Sequence, residues 1–463
     1  MTQQDAILES WGIQLLCVQT KIIDPGSVLF LLRFKYLTNI SWLFGERIFK
    51  IGISFFVGVW LARYLGPSEF GLYNYIISLV GIFTALTTLG LDHILIRELV
   101  KSKNWHSLLG TSFWLRMAGS IALFLLSVLF FPFFTNNTRV ILLFYLLATI
   151  WLLQPFNVID CAFQAKVLSR YPVRNRILAS LTSSIVKVLF ILFHADLYLF
   201  LVVLIFENII LALGYVLLAP RVSVVISKFR FQFNIAKSLM KDAWPLLISV
   251  FAVALFLKID QVMIIYFLDT DALGKYAAAV RISEAVYFVP AILISTFYPA
   301  IIWAKQQNKT LYNNRLQKFY DVMIWTGIAI SAIIFAFSKE IVQVLYGKSY
   351  FDSGPVLAIF SWTVVFVFMA NASSRWFLAE NRQILLMVLN VIASIFNIIL
   401  NLILIPRFGI KGAAISSLIS YSIASFWGLL LFRPARRNLE MLCRAFSPWG
   451  VLKRLGIVHM LFR

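Results

Sequence analysis

The chain has 463 residues, of which 61% are hydrophobic and 13% charged, and its formal net charge is +21. A soluble domain is roughly 45–50% apolar and about 25% charged, so this composition excludes a soluble globular fold and, with its 43 Phe, a disordered chain. The apolar runs are continuous rather than alternating, which argues against a transmembrane barrel.

Residues 1–40 form an N-terminal extension of no assigned role; its two apolar stretches, 11–18 and 27–32, are too short to span a bilayer, which takes about 20 residues. Hydrophobic segments then follow at 41–63, 70–91, 107–134, 140–163, 177–193 and 197–219. A basic connector, 220–242, carries interleaved apolar residues and reads either as a surface-lying helix or as a plain linker. Six more segments lie at 243–268, 276–300, 319–338, 353–379, 384–405 and 412–432, before a basic tail, 433–463. The expected architecture is an all-α polytopic membrane protein of about 12 transmembrane helices in two six-helix lobes, 41–219 and 243–432. With the N-terminus placed in the cytoplasm, 27 Lys and Arg fall in inner segments and 7 in outer loops, which predicts both termini inside. The same bias accounts for the net charge without nucleic acid.

A short repeat supports two equivalent halves. Gly71 and Tyr73 follow the first span as Gly274 and Tyr276 follow the seventh, in each case 203 residues apart.

Charges inside the spans call for a reason, because each costs about 2.5–3.5 kcal/mol at mid-bilayer. The basic ones are Arg47, Lys50, Arg116, Lys187, Lys258, Arg281 and Arg375. Near a helix end such a side chain snorkels, as expected for Arg375; deep within a span, as for Lys187 and Arg116, it points to a water-lined interior. Glu46, Lys50, Ser54 and Gly58 share one helical face, which reads either as a Glu46–Lys50 pair or as a cationic stripe along a cavity. The acidic residues Glu207, Asp260 and Glu284 are candidates for proton or Na⁺ coupling; the alternative is an ion-pair cluster with Arg281 that ties two helices together. Asn390, Ser394, Asn397 and Asn401 also share a face, either as hydrogen-bonding glue between helices or as a sugar-contacting wall. Cys17, Cys161 and Cys443 are far apart with no metal-ligand spacing, and no phosphate loop or catalytic constellation occurs. The reading therefore holds no catalytic residue, metal or cofactor.

Several stretches resemble bacterial polysaccharide-unit flippases (the Wzx type) of the multidrug/oligosaccharidyl-lipid/polysaccharide flippase superfamily. They are Ile40-Ser41-Trp42-Leu43, Ala62-Arg63-Tyr64-Leu65-Gly66-Pro67 through Phe70-Gly71-Leu72-Tyr73, and Leu89-Gly90-Leu91-Asp92 with Arg97-Glu98-Leu99. Lys258-Ile259-Asp260-Gln261 through Arg281 and Pro406-Arg407-Phe408-Gly409 through Ala414 continue the likeness, which spans 38–432. The resemblance implies two lobes that alternate in access and a polyprenyl-diphosphate-linked oligosaccharide as cargo, for O-antigen or exopolysaccharide synthesis. It implies a multi-pass protein of the bacterial cytoplasmic membrane, in contact with lipids and with polysaccharide polymerase and glycosyltransferases as further partners. Arg47 and Arg281 match the family's arginines in placement and inherit a role at the diphosphate. A drug or cation antiporter of the same superfamily and a lipid II flippase are the alternatives. The antiporter would favour an acidic interior, and a membrane glycan polymerase or ligase would need a large outer loop.

Overall fold

A computed structural model describes residues 25–102 and 104–455, and all secondary structure among them is helical. Residues 1–24, which include Cys17, and 456–463 lie outside the described residues, as does the side chain of Arg47. In hydrocarbon every backbone N–H and C=O must be satisfied within the chain, and helices do this segment by segment. Among the described residues ten segments are long and apolar enough to cross a membrane.

Helix α1 (Pro25–Thr87) is bent at Gly66, whose φ of 71° suits glycine, and Pro67 starts the second arm, where a missing N–H costs nothing. The two arms make two crossings. Helices α2 (Asp92–Lys101), α3 (Trp105–Phe130), α4 (Thr138–Ala148), α5 (Val158–Ala165), α6 (Arg170–Leu192) and α7 (Leu197–Leu218) complete the first half, with a 3-10 stretch between α4 and α5. The second half holds α8 (Phe233–Phe267), α9 (Thr270–Ala285), α10 (Val289–Gln307) and α11 (Lys309–Ala336). It continues with α12 (Ser338–Tyr346), α13 (Ser353–Phe360), α14 (Thr363–Ala379), α15 (Gln383–Phe408) and α16 (Ile410–Ser425). Two tail helices follow, α17 (Arg436–Ala445) and α18 (Pro448–Leu455). Each of the twelve hydrophobic segments falls on helix.

The structure adds detail at two places in the sequence reading. The apolar stretch 27–32 is not isolated, because α1 is continuous from Pro25 to its bend and absorbs residues 25–40 of the extension. The connector holds no separate surface helix: residues 219–232 make two 3-10 turns, and 233–242 are the opening turns of α8. The turns are tied to the first half, where Gln232 N donates to Thr111 Oγ1 (3.1 Å) and Lys166 Nζ donates to the Val222 carbonyl (2.7 Å).

The halves meet where the second arm of α1 crosses α9. A Cβ on Gly71 would overlap the Thr270 carbonyl oxygen, and a Cβ on Gly274 would overlap that of Pro67. These four positions are two pairs related by the same 203-residue offset, so the contact is reciprocal. Asp269 caps α9 by accepting from Ala272 N at 2.7 Å, and Ser68 and Thr270 share a hydrogen bond of 2.9 Å across the crossing. At the same end Arg63 Nη2 donates to the Val344 carbonyl and the Tyr350 hydroxyl to that of Ala62, both at 2.7 Å. At the other end of α1, Arg97 pairs with Asp242 at 2.5 Å.

The Gly71 variant Gly71→Leu should force this crossing open, an overpacking worth about 1–3 kcal/mol against the closed end. A cysteine placed by Ser68→Cys should then react with a maleimide at least about fivefold faster than in the otherwise unchanged chain. Equal labelling rates would mean that the glycine contact does not hold this end shut.

Candidate functional site

A cavity of about 510 Å³ lies between the halves, walled by both arms of α1, α6, α7, α8 and α9. Four of the sequence-predicted cations, Lys50, Lys187, Lys258 and Arg281, line it together with Glu207 and Glu284. Among the described residues none of those four cations forms a salt bridge. Ser54, Asn74, Ser180, Ser184 and Gln261 add polar groups, while Phe55, Val57, Leu61 and Ile77 add apolar wall.

Arg281 occupies its place because Gly58 has no side chain: a Cβ there would run into the guanidinium. Its Nη2 donates to the Ser54 carbonyl at 2.8 Å, which bridges α9 to the first arm of α1. The repeat-related pair, 203 residues on from Gly58 and back from Arg281, is Gln261 and Ser78. There the Ser78 hydroxyl donates to Gln261 Oε1 at 2.6 Å. One crossing thus holds a neutral hydrogen bond and its counterpart an arginine over a glycine. Extending the Gly71–Gly274 repeat by a few turns along each helix would have found Gln261 and Ser78 in the sequence.

Other expected site residues lie elsewhere. Arg116 is 1% exposed and donates to Asp92 Oδ1 at 2.8 Å, beside Cys161. Glu46 does not pair with Lys50. It accepts both Nε and Nη2 of Arg176, at 2.6 and 2.8 Å, and Arg176 also reaches Asp160 at 3.2 Å. A guanidinium fork matches a carboxylate better than a lysine one turn along the same helix, which is why α1 and α6 are joined here. Arg176 was not singled out in the sequence because it lies at the loop-proximal start of α6. Arg47 follows Glu46 in α1, and its side chain lies outside the described residues.

No ion pair joins Arg281 to Asp260 or to Glu284 among the described residues; Arg281 turns toward α1 and Asp260 the other way. Asp260 is 7% exposed, between α8, α9, α15 and α16. Its carboxylate accepts the Tyr276 hydroxyl at 2.7 Å, the Ser417 hydroxyl at 2.5 Å and Asn401 Nδ2 at 3.2 Å. Asn397 and Asn401 are fully buried in this cluster, and Ser394 donates to the Ala252 carbonyl at 2.8 Å. Asn397 and Asn401 therefore face other helices rather than the cavity, and Asn390 is absent from the cavity lining. Asn401 Oδ1 and Asn397 Nδ2 have no hydrogen-bond partner there.

The protein family described as "Polysaccharide biosynthesis protein" matches residues 36–305, more than half of the chain. The chain belongs to that family. A second family, "Lipid II flippase MurJ", matches residues 225–447 of this polysaccharide biosynthesis family member. Among curated proteins it is 23% identical over 426 residues to an uncharacterized membrane protein of Methanocaldococcus jannaschii, covering 84% of this chain and 82% of that protein. It is 26% identical over 165 residues, 35% of each chain, to a probable low-salt glycan biosynthesis flippase of Haloferax volcanii. Its fold is similar to the lipid II flippase MurJ in an inward closed conformation, with a TM-score of 0.67 at 15% identity, over 91% of this chain and 97% of that one. An inward-facing multidrug resistance MATE family transporter of the MOP superfamily also gives 0.67, at 13% identity, over 86% of this chain and 96% of that one. The polysaccharide biosynthesis family member thus has the fold of these transporters, and its long apolar helices make it a multi-pass membrane protein. The relatives and solved structures that carry a named activity are flippases and transporters rather than catalysts.

Buried Arg116 and half-buried Lys187 should separate in stability. Arg116→Ala leaves Asp92 without its partner and should cost about 1–3 kcal/mol, whereas Lys187→Ala removes a cation with no salt-bridge partner and should leave the thermal midpoint in detergent unchanged. Equal losses from both variants would contradict this division.

Proposed function

We propose that the chain flips a glycan carried on a polyprenyl diphosphate from the inner to the outer leaflet of the cytoplasmic membrane, by alternating access of two lobes, 41–219 and 243–432. The connector and both termini face the cytoplasm in this reading, as the Lys and Arg distribution favours. The observation that carries it is the cavity between the halves, where Lys50, Lys187, Lys258 and Arg281 outnumber Glu207 and Glu284 and form no salt bridge with them. A diphosphate carries several negative charges and cannot enter hydrocarbon bare. Unpaired Lys and Arg in a walled space supply the charge-assisted hydrogen bonds that replace its hydration. A cation antiporter would need the opposite excess. The relative named as a low-salt glycan biosynthesis flippase agrees with a glycan cargo. The hairpin motifs favour a bacterial polysaccharide unit, with the polymerase and glycosyltransferases of its synthesis as neighbours.

The Asp260 cluster is proposed as the coupling site. Its carboxylate, the Ser417 hydroxyl and the free Asn401 Oδ1 make an oxygen-rich pocket suited to a small cation or a proton. Tyr276 belongs to α9, which also carries Arg281, so loading of Asp260 bears on the helix that positions a cavity cation.

A second reading is favoured by the lipid II flippase family match over 225–447: the same cavity, with lipid II as cargo. Proteoliposomes holding a fluorescent polyprenyl-diphosphate oligosaccharide or lipid II, with outward movement read by quencher access, separate the two. We expect faster movement of the oligosaccharide carrier. A hydrogen bond to a charged group is worth about 1.5–3 kcal/mol, so Lys187→Ala and Arg281→Ala should each slow it about tenfold or more. Movement of neither cargo, or unchanged rates in both variants, would sink the diphosphate reading. Asp260→Asn should abolish the response to an imposed Na⁺ or proton gradient. A wild-type rate that stays the same with both gradients collapsed would remove the coupling role.

A further inference from the structure

A second cavity, of about 750 Å³, lies between the first turns of α11 and the tail helices α17 and α18. Two spans, Phe233–Phe267 and Thr270–Gln307, separate the first turns of α11 from the connector, so the pocket lies at the same end of the bundle. Helix α11 is polar over Lys309–Lys318 and apolar from Phe319 onward, which sets the pocket at the membrane edge. Helix α17 buries Asn438, Met441, Leu442 and Ala445 against the second half and turns Arg437, Glu440 and Arg444 toward the pocket.

The walls are tied down. Arg454 of α18 donates through Nε and Nη2 to Asp321, at 2.7 and 3.0 Å, and Asp321 is fully buried. Gln317 Nε2 donates to the Met441 carbonyl at 3.0 Å, and Trp325 Nε1 to that of Ala445 at 2.9 Å. This fastening consumes the charge of Arg454. It leaves Arg315, Lys318, Arg437 and Arg444 in the lining without a salt bridge, against Glu440, the one carboxylate there among the described residues. Two of the three guanidiniums are held in place by neutral partners: Arg315 donates to the Ala300 carbonyl and stacks on Trp303, and Arg437 donates to Asn313. Cations held together at one site repel unless an anion joins them. Planar guanidinium forks match the oxygens of a phosphate.

We propose that this pocket binds a phosphate-bearing anion, as a lipid headgroup at the membrane edge or as a soluble phosphorylated molecule, and that the ligand clamps the tail onto α11. The pocket volume exceeds what inorganic phosphate fills and accommodates a headgroup.

The test is the thermal midpoint of the full chain in detergent, titrated with dioleoylphosphatidylglycerol, with dioleoylphosphatidylcholine as zwitterionic control, and with inorganic pyrophosphate. Phosphatidylglycerol should raise the midpoint and phosphatidylcholine should not. The combined variant Arg315→Gln, Lys318→Gln, Arg444→Gln, which spares the Arg454–Asp321 fastening, should need at least about tenfold more of the ligand for half the effect. Glu440→Gln removes the opposing charge and should need less. A rise with phosphatidylglycerol alone assigns the site to lipid, and an equal rise with pyrophosphate assigns it to a soluble phosphate. No rise with either probe, an equal rise with phosphatidylcholine, or an unchanged response in both the triple variant and Glu440→Gln would overturn the proposal.

Discussion

The backbone contact of Gly71 with Thr270 and of Gly274 with Pro67 is the constraint on which the rest of the molecule depends. Two helices approach until peptide groups touch, and no side chain larger than hydrogen fits at either glycine. Because the contact is reciprocal, it fixes the two halves about a common crossing, and everything one or two turns farther along each helix follows. Gly58 comes to lie under Arg281, and Gln261 comes to lie under Ser78. The cavity begins where these helices part.

The charges within the membrane-spanning helices meet three different fates. Arg116 and Arg176 are neutralised by Asp92 and by Glu46 with Asp160, and they bind helices of the first half together. Asp260 is enclosed by hydroxyl and amide donors. Lys50, Lys187, Lys258 and Arg281 are gathered in one space without salt bridges. At about 2.5–3.5 kcal/mol per charge in mid-bilayer, the third arrangement is the expensive one. In the proposed function water and an anionic cargo relieve that cost, whereas ion pairs would have relieved it permanently and left nothing to bind cargo.

The spans were legible because their signal is local: a run of apolar residues long enough to cross, closed by Gly and Pro at Gly66-Pro67. The Gly71–Gly274 repeat was legible too, and it marked the crossing itself. Partner choice was not. Glu46 has Lys50 one turn away in the same helix yet pairs with Arg176, 130 residues on, because tertiary packing brings a better-shaped cation. Likewise, Asn397 and Asn401 carry the periodicity of a lining face, but the neighbouring helix that covers that face is set by the whole bundle. The cations deep in their spans could be counted from the sequence; that Lys187 would line the cavity and Arg116 would not depended on where Asp92 lies.

The central claim is that the cavity cations hold a diphosphate. A cryo-electron microscopy structure of the full chain with a short-chain polyprenyl diphosphate disaccharide tests it directly. The account predicts diphosphate density within hydrogen-bonding distance of Arg281 and Lys187, with the sugar in the space toward Ser180 and Asn74. Diphosphate density confined to another part of the molecule, with the cavity filled by water alone, would contradict it.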